Sequence, residues 1–127
     1  MTKTIATLFG AIYLIVGVLG FIPALGGSAG MTDGALFGIA AVNVPHNIVH
    51  LIIGLAGLSG GRTEAGAATF GKTFGVILLV IGLLGFVQPN LLGILPIGGY
   101  DIWIHLVTGA ILAYAGFTAT APKSATA

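Results

Sequence analysis

Three histidines and one aspartate are the residues of this chain best equipped for chemistry, and they fall into two matched pairs. His46 and His50 are spaced i, i+4, and so are Asp101 and His105. On a helix that spacing puts both members of a pair on one face, the second roughly 6 Å further along the axis. Neutral imidazoles together with one carboxylate suit Zn²⁺, Fe²⁺, Mn²⁺ or Cu²⁺. Paired ligands on facing helices are one way in which bundles hold metals. His46, His50, Asp101 and His105 are therefore candidate ligands for a transition metal.

The same four groups admit two other readings. His50 and His105 suit opposite sides of one haem, or each suits a separate chlorophyll-like pigment. Gly54 and Gly109, each one turn below its histidine, would then give a flat ring its clearance. Alternatively the cluster is a hydrogen-bonded clasp, with Asp101 accepting from a histidine and Asn43, Asn47 and Tyr100 completing a polar network. Interhelical polar contacts in membranes contribute about 0.6–2 kcal/mol each, enough to fix packing. Small residues also let helices approach closely, and Thr108 and Gly116 continue the small stripe. The residues alone leave all three readings open, although ionisable groups inside spans are functional suspects by default.

Catalysis has less support. Ser28, Ser59 and Ser124 lie in expected loops or ends, and no nucleophile–base pair stands out. The Gly26–Gly30 stretch lacks the strand–turn–helix setting of a phosphate loop. No catalytic residue is assigned, and four short helices make a thin transport pathway without oligomerisation.

The elements that must position these groups follow from composition. Of 127 residues, 57% are hydrophobic and 6% charged, against about 25% charged in a soluble domain. Seven charges cannot cover a globule of this size, so the surface faces lipid or apolar protein. Lys3, Asp33, Arg62, Glu64, Lys72, Asp101 and Lys123 leave four uncharged stretches of at least 21 residues. About 20 apolar residues cross a bilayer, so four spans are expected. A cleavable signal peptide competes for the first, since small residues near Ala24–Gly27 follow the apolar run. A matching copy later in the chain argues against that. A net charge of +1 argues against nucleic acid, and with no cysteine there are no disulfides or thiolate metal sites.

Helices are expected at about Thr4–Leu25, Pro45–Gly60, Ala68–Val87 and Tyr100–Thr118. Pro45 suits a first helical turn, Pro23 and Pro89 sit where helices 1 and 3 should end, and Ala35–Val42 reads as an interfacial or re-entrant turn. The Ala/Thr/Ser-rich tail reads as a frayed end. Lys3, Arg62, Lys72 and Lys123 lie at the two termini and the middle loop. The positive-inside rule therefore makes both termini cytoplasmic and turns the two glycine-rich loops outward.

The halves also repeat. Phe9–Ile22 aligns on Phe74–Val87 at an offset of 65 with eight identities in fourteen positions. Leu36–Leu58 aligns on Leu91–Ala113 at an offset of 55, which places His46 opposite Asp101 and His50 opposite His105. Two copies of a two-span unit share one orientation, which predicts a pseudo-two-fold axis along the membrane normal. The first copy carries about ten extra loop residues near Gly26–Ala35.

LIVGVLGFIP in helix 1, LFGIAAVNVPHNIVHLIIGLAGL through helix 2 and LLGILPIGGYDIWIHLVTGAIL through helix 4 together resemble a bacterial family of small four-helix membrane proteins. That family is known only as a domain of unknown function. The His-Asn-x-x-His and Asp-x-x-x-His patterns are the most specific part of the resemblance. They imply that His46, Asn47, His50, Asp101 and His105 belong to the family's pattern. The resemblance implies a bacterial inner-membrane location and no activity.

The expectation is thus an all-α, integral membrane four-helix bundle, a single membrane domain of two transmembrane hairpins (about 5–60 and 68–118). Its partners would be the bilayer and either a larger membrane complex or further copies of itself. Two functions follow: a structural or accessory membrane subunit, or a metal- or tetrapyrrole-binding protein.

Overall fold

A computed structural model describes residues 1–120. Four helices form the body: α1 (Thr2–Leu19), α2 (Val44–Gly60), α3 (Glu64–Leu84) and α4 (Tyr100–Phe117). A single 3₁₀ turn, Pro23–Leu25, follows α1. Three of the helices, α1, α3 and α4, are long and apolar enough to cross a membrane, while α2 has 17 residues. Large apolar side chains cover the outside of the bundle, among them Ile15, Ile52, Val80 and Val107. A globular surface does not carry so continuous an apolar coat unless it meets lipid or protein.

The helix ends differ from the sequence expectation in instructive ways. α1 and α3 stop at Gly20 and Gly85, before Pro23 and Pro89. α3 begins four residues earlier than expected because Thr63 caps it, its side chain accepting from the Gly66 amide. α2 starts where expected, with Pro45 in its first turn and Asn43 as its cap.

The apolar segment at Ala35–Val42 turns back on itself as β-structure. Strands β1 (Gly34–Leu36) and β2 (Ala40–Val42) form a small antiparallel hairpin, with Leu36 opposite Ala40. A second hairpin joins α3 to α4, from β3 (Asn90–Leu91) and β4 (Leu95–Pro96), with Leu91 opposite Leu95. Both turn on a pair of left-handed residues, Phe37–Gly38 (φ 53° and 72°) and Leu92–Gly93 (φ 56° and 72°). Glycine takes that conformation without penalty, but the bulky Phe37 and Leu92 are strained there.

Packing divides the bundle into two tight helix pairs, α1 with α2 and α3 with α4, that meet each other more loosely. Backbone contact makes each seam. A Cβ at Gly10 would collide with the backbone of Gly57 and Leu58, and one at Gly75 with that of Ala113. Gly17 lies on Leu51 as Gly82 lies on Leu106. Between the pairs, Tyr13, Ile53, Phe70, Leu78 and Leu112 supply the apolar core. Backbone contact between α2 and α4 is slight, and imidazole side chains fill the space at their hairpin ends.

Candidate functional site: a buried triple-histidine cluster

Asn43 positions the start of α2. Its Oδ1 accepts from the His46 amide at 3.0 Å, while its Nδ2 donates to Asp33 Oδ1 at 3.0 Å and to the Ile94 carbonyl at 2.8 Å. One side chain thus ties the helix start to the first loop and to the second β-hairpin. Asn47, fully buried one turn along, donates to the Ser28 carbonyl at 3.1 Å and draws the long first loop against the helix ends.

From that start, His46 and His50 point into the bundle, and His105 reaches them from α4. The three are almost wholly buried. Their ligand atoms all lie within 4.8 Å of one another. His46 Nε2 and His50 Nε2 are 3.1 Å apart. Two nitrogens bound at 2.0–2.1 Å to one tetrahedral metal sit roughly 3.3 Å apart, so this pair is already at coordination distance. The carbonyls of Ala41 and Pro96, one from each β-hairpin, approach the His46 ring, although neither makes a well-directed hydrogen bond to Nδ1. Carbonyls in that place orient metal-bound imidazoles.

Polar matching is incomplete here. Among the described residues, the buried side-chain atoms without a hydrogen-bond partner are Nδ1 of His46, His50 and His105, Asp101 Oδ2 and Asn47 Oδ1. Native interiors leave few such atoms unmatched, and four of these five belong to the four residues singled out by spacing. The donor set fits a metal: three neutral imidazoles with a fourth position free of protein ligands is a familiar zinc arrangement.

Asp101 does not join the histidine group. It is buried, yet it hydrogen-bonds to no histidine and stands outside the group whose ligand atoms converge. Tyr100 is two-thirds exposed and belongs to no polar network. The clasp expected around Asp101 and Tyr100 is therefore not formed. Nor do Gly54 and Gly109 open space for a ring. A Cβ at Gly54 would strike the Leu14 backbone, and one at Gly109 the Leu79 backbone, so both are helix-packing positions.

Two cavities flank the cluster, and His50 and His105 border both. The larger, about 200 Å³, lies between α1, α4 and the first β-hairpin, with Asp101 in its wall. The smaller, about 30 Å³, lies between α3, α2 and the second hairpin, with His46 in its wall. Their linings correspond at the offsets of 65 and 55. Tyr13 and Thr108 in the first answer to Leu78 and Ile53 in the second, and Ala40 answers to Leu95. The larger side chain of Leu95 accounts for part of the difference in volume.

Tyr13 had no signal in residue spacing. Its hydroxyl lies 2.9 Å from Thr108 Oγ1, and Thr108 gives its own single proton to the Ile104 carbonyl at 2.7 Å. Tyr13 is therefore the donor. Its ring stands edge-on to His50 with centroids 5.2 Å apart. The available clue was a polar residue aligned with an apolar one, Tyr13 on Leu78.

The architecture and site define a small helical membrane protein with a buried histidine cluster at its hairpin-bearing end. The chain belongs to DUF4383, a family described as a domain of unknown function, whose family model matches residues 3–118. No curated protein and no solved structure matches it significantly.

Proposed function

We propose that this protein binds a divalent transition metal, with Zn²⁺ the best fit, through His46, His50 and His105. The observation that carries this reading is the convergence of ligand atoms from three buried histidines within 4.8 Å of one another. A structural clasp is less well supported, because Asp101 makes no hydrogen bond to a histidine. A tetrapyrrole is less well supported too: cavities of about 200 and 30 Å³ fall below the roughly 300 Å³ at which drug-sized ligand pockets begin.

The setting proposed is a four-pass protein of a bacterial inner membrane, made from two copies of a helix–hairpin–helix unit, with both termini cytoplasmic. Matched glycine seams, matched β-turns and corresponding cavities support the duplication. Lys3, Arg62 and Lys72 at the end away from the histidines support the orientation. Lys72 lies 5.8 Å from the centroid of the Phe117 ring, near the end of α4.

Elemental analysis of protein purified from its native membrane in mild detergent tests the proposal. Near-stoichiometric metal, lost when His50 and His105 are both changed to Gln in protein that keeps its helical circular dichroism, is the expected result. A folded wild-type preparation that neither carries nor takes up Zn²⁺, Cu²⁺, Fe²⁺ or Mn²⁺ would overturn it.

A further inference from the structure

We infer that the tips of both β-hairpins dip into bilayer hydrocarbon beside the helices, where they meet the acyl chains of the hairpin-side leaflet. This inference rests on the membrane setting proposed above and is independent of the metal.

Depth is the first observation. With 18 residues, α1 is about 27 Å long, no longer than the roughly 30 Å of hydrocarbon it would cross. Groups beside the body of the helix, rather than past its end, therefore lie at hydrocarbon depth. Phe37 and Ile39 of the first tip share a cleft with Val16 and Ile12, about 5 and 10 Å in from Leu19. Ile104, about 6 Å in from Tyr100, borders the same cleft. Leu91 and Leu95, flanking the second tip, share the smaller cavity with Ile81 and Leu78, about 5 and 9 Å in from Leu84. Both hairpins hang beside the helices instead of standing above them.

The side chains suit that depth. Phe37 is 58% exposed and Leu92 79%, and both occupy left-handed turn positions where a hairpin in water favours glycine or asparagine. Ile39 and Ile94 beside them are exposed as well. Neither 34–44 nor 90–99 contains an aspartate, glutamate, lysine or arginine. Bulky apolar side chains held outward in this way are unfavourable in water and favourable in hydrocarbon.

The backbone is prepared too. Lipid offers no hydrogen bonds, so amides at that depth need partners within the protein. The Phe37 amide donates to the Leu25 carbonyl at 2.9 Å, Gly38 to Ala35 at 2.8 Å and Ile39 to Leu36 at 3.0 Å. In the second tip Gly93 donates to Asn90 and Ile94 to Leu91, both at 3.1 Å. A protein partner is less well supported, because the tips carry no charge that would orient one.

The chain has no cysteine, so Phe37→Cys and Leu92→Cys can each carry a single nitrobenzoxadiazole label in phosphatidylcholine vesicles. Ile52→Cys, in the apolar coat of α2, and Gly30→Cys, in the loop before β1, serve as references. At both tips, quenching by doxyl-labelled phospholipid should fall within about twofold of that at Ile52. Quenching by iodide should be at least tenfold weaker than at Gly30. Ile39→Cys and Ile94→Cys repeat the measurement if circular dichroism shows that a turn variant fails to fold. Strong iodide quenching at either tip puts that hairpin in water, and shielding from both quenchers puts it against protein. Either result overturns the assignment while lipid quenching at Ile52 upholds the membrane setting. Loss of lipid quenching at Ile52 as well would overturn that setting and this inference with it.

Discussion

His46 and His50, one helical turn apart, meet Nε2 to Nε2 at 3.1 Å inside the bundle. Two neutral imidazoles in that contact share a single proton, and each keeps an unmatched Nδ1. Under the proposed function a metal ion would replace that proton, with His46 and His50 as two of its ligands and His105 from α4 as the third.

The three proposed ligands are unequal in origin. His46 and His50 come from one helix, whereas His105 alone joins the other half of the bundle to the site. His105→Ala should weaken Zn²⁺ binding more than about 100-fold, beyond the 10–100-fold typical of outer-shell changes. A competition titration against a chromogenic chelator measures this directly, and wild-type affinity in the variant would remove His105 from the site.

Asn43 caps α2 and also ties two loops. Loss of a helix cap costs about 1 kcal/mol, and Asn43→Ala additionally deprives Asp33 and the Ile94 carbonyl of their donor. The variant should unfold at lower temperature than wild type in the same detergent. Asn43→Ser, which keeps a capping oxygen and loses the bridging amide, should fall between the two.

The glycine seams give a sharper contrast. Gly10→Ala sets a methyl group against the backbone of Gly57 and Leu58 and should destabilise by about 1–3 kcal/mol. Gly30→Ala meets nothing within 4 Å and should leave stability unchanged. Thermal melts of the pair, run together, separate close helix contact from general intolerance of glycine replacement.

The chain has no cysteine, which makes topology simple to measure. Gly30→Cys, in the first hairpin-side loop, should react with a membrane-impermeant maleimide added to spheroplasts. Arg62→Cys should react only after the membrane is permeabilised. The reverse pattern would invert the proposed orientation.

Much of this was legible before the structure because it rests on periodicity. Long uncharged stretches mark helices, and i, i+4 spacing aims His46 and His50 the same way. The β-hairpins were not legible, since Leu36-Phe37-Gly38-Ile39 is continuously apolar and puts a bulky residue where turn chemistry asks for glycine or asparagine. The place of Asp101 was not legible either. Spacing places it on the His105 face, but two side chains on one face need not meet the same partners, and here His105 joins the cluster while Asp101 stays outside it. Gly54 and Gly109 illustrate the limit of composition: a small residue beside a histidine reads the same whether a ligand or the neighbouring helix fills the gap.

The close backbone seams have a mechanical consequence. Each helix pair is joined by atoms that have no rotamers to change, so each half behaves as a stiff lever. The halves meet through side chains, and that joint is the compliant part of the molecule. Two histidines stand on one lever and the third on the other. Anything gripped by all three works as a latch across the joint, and letting go of it would free the levers to rock.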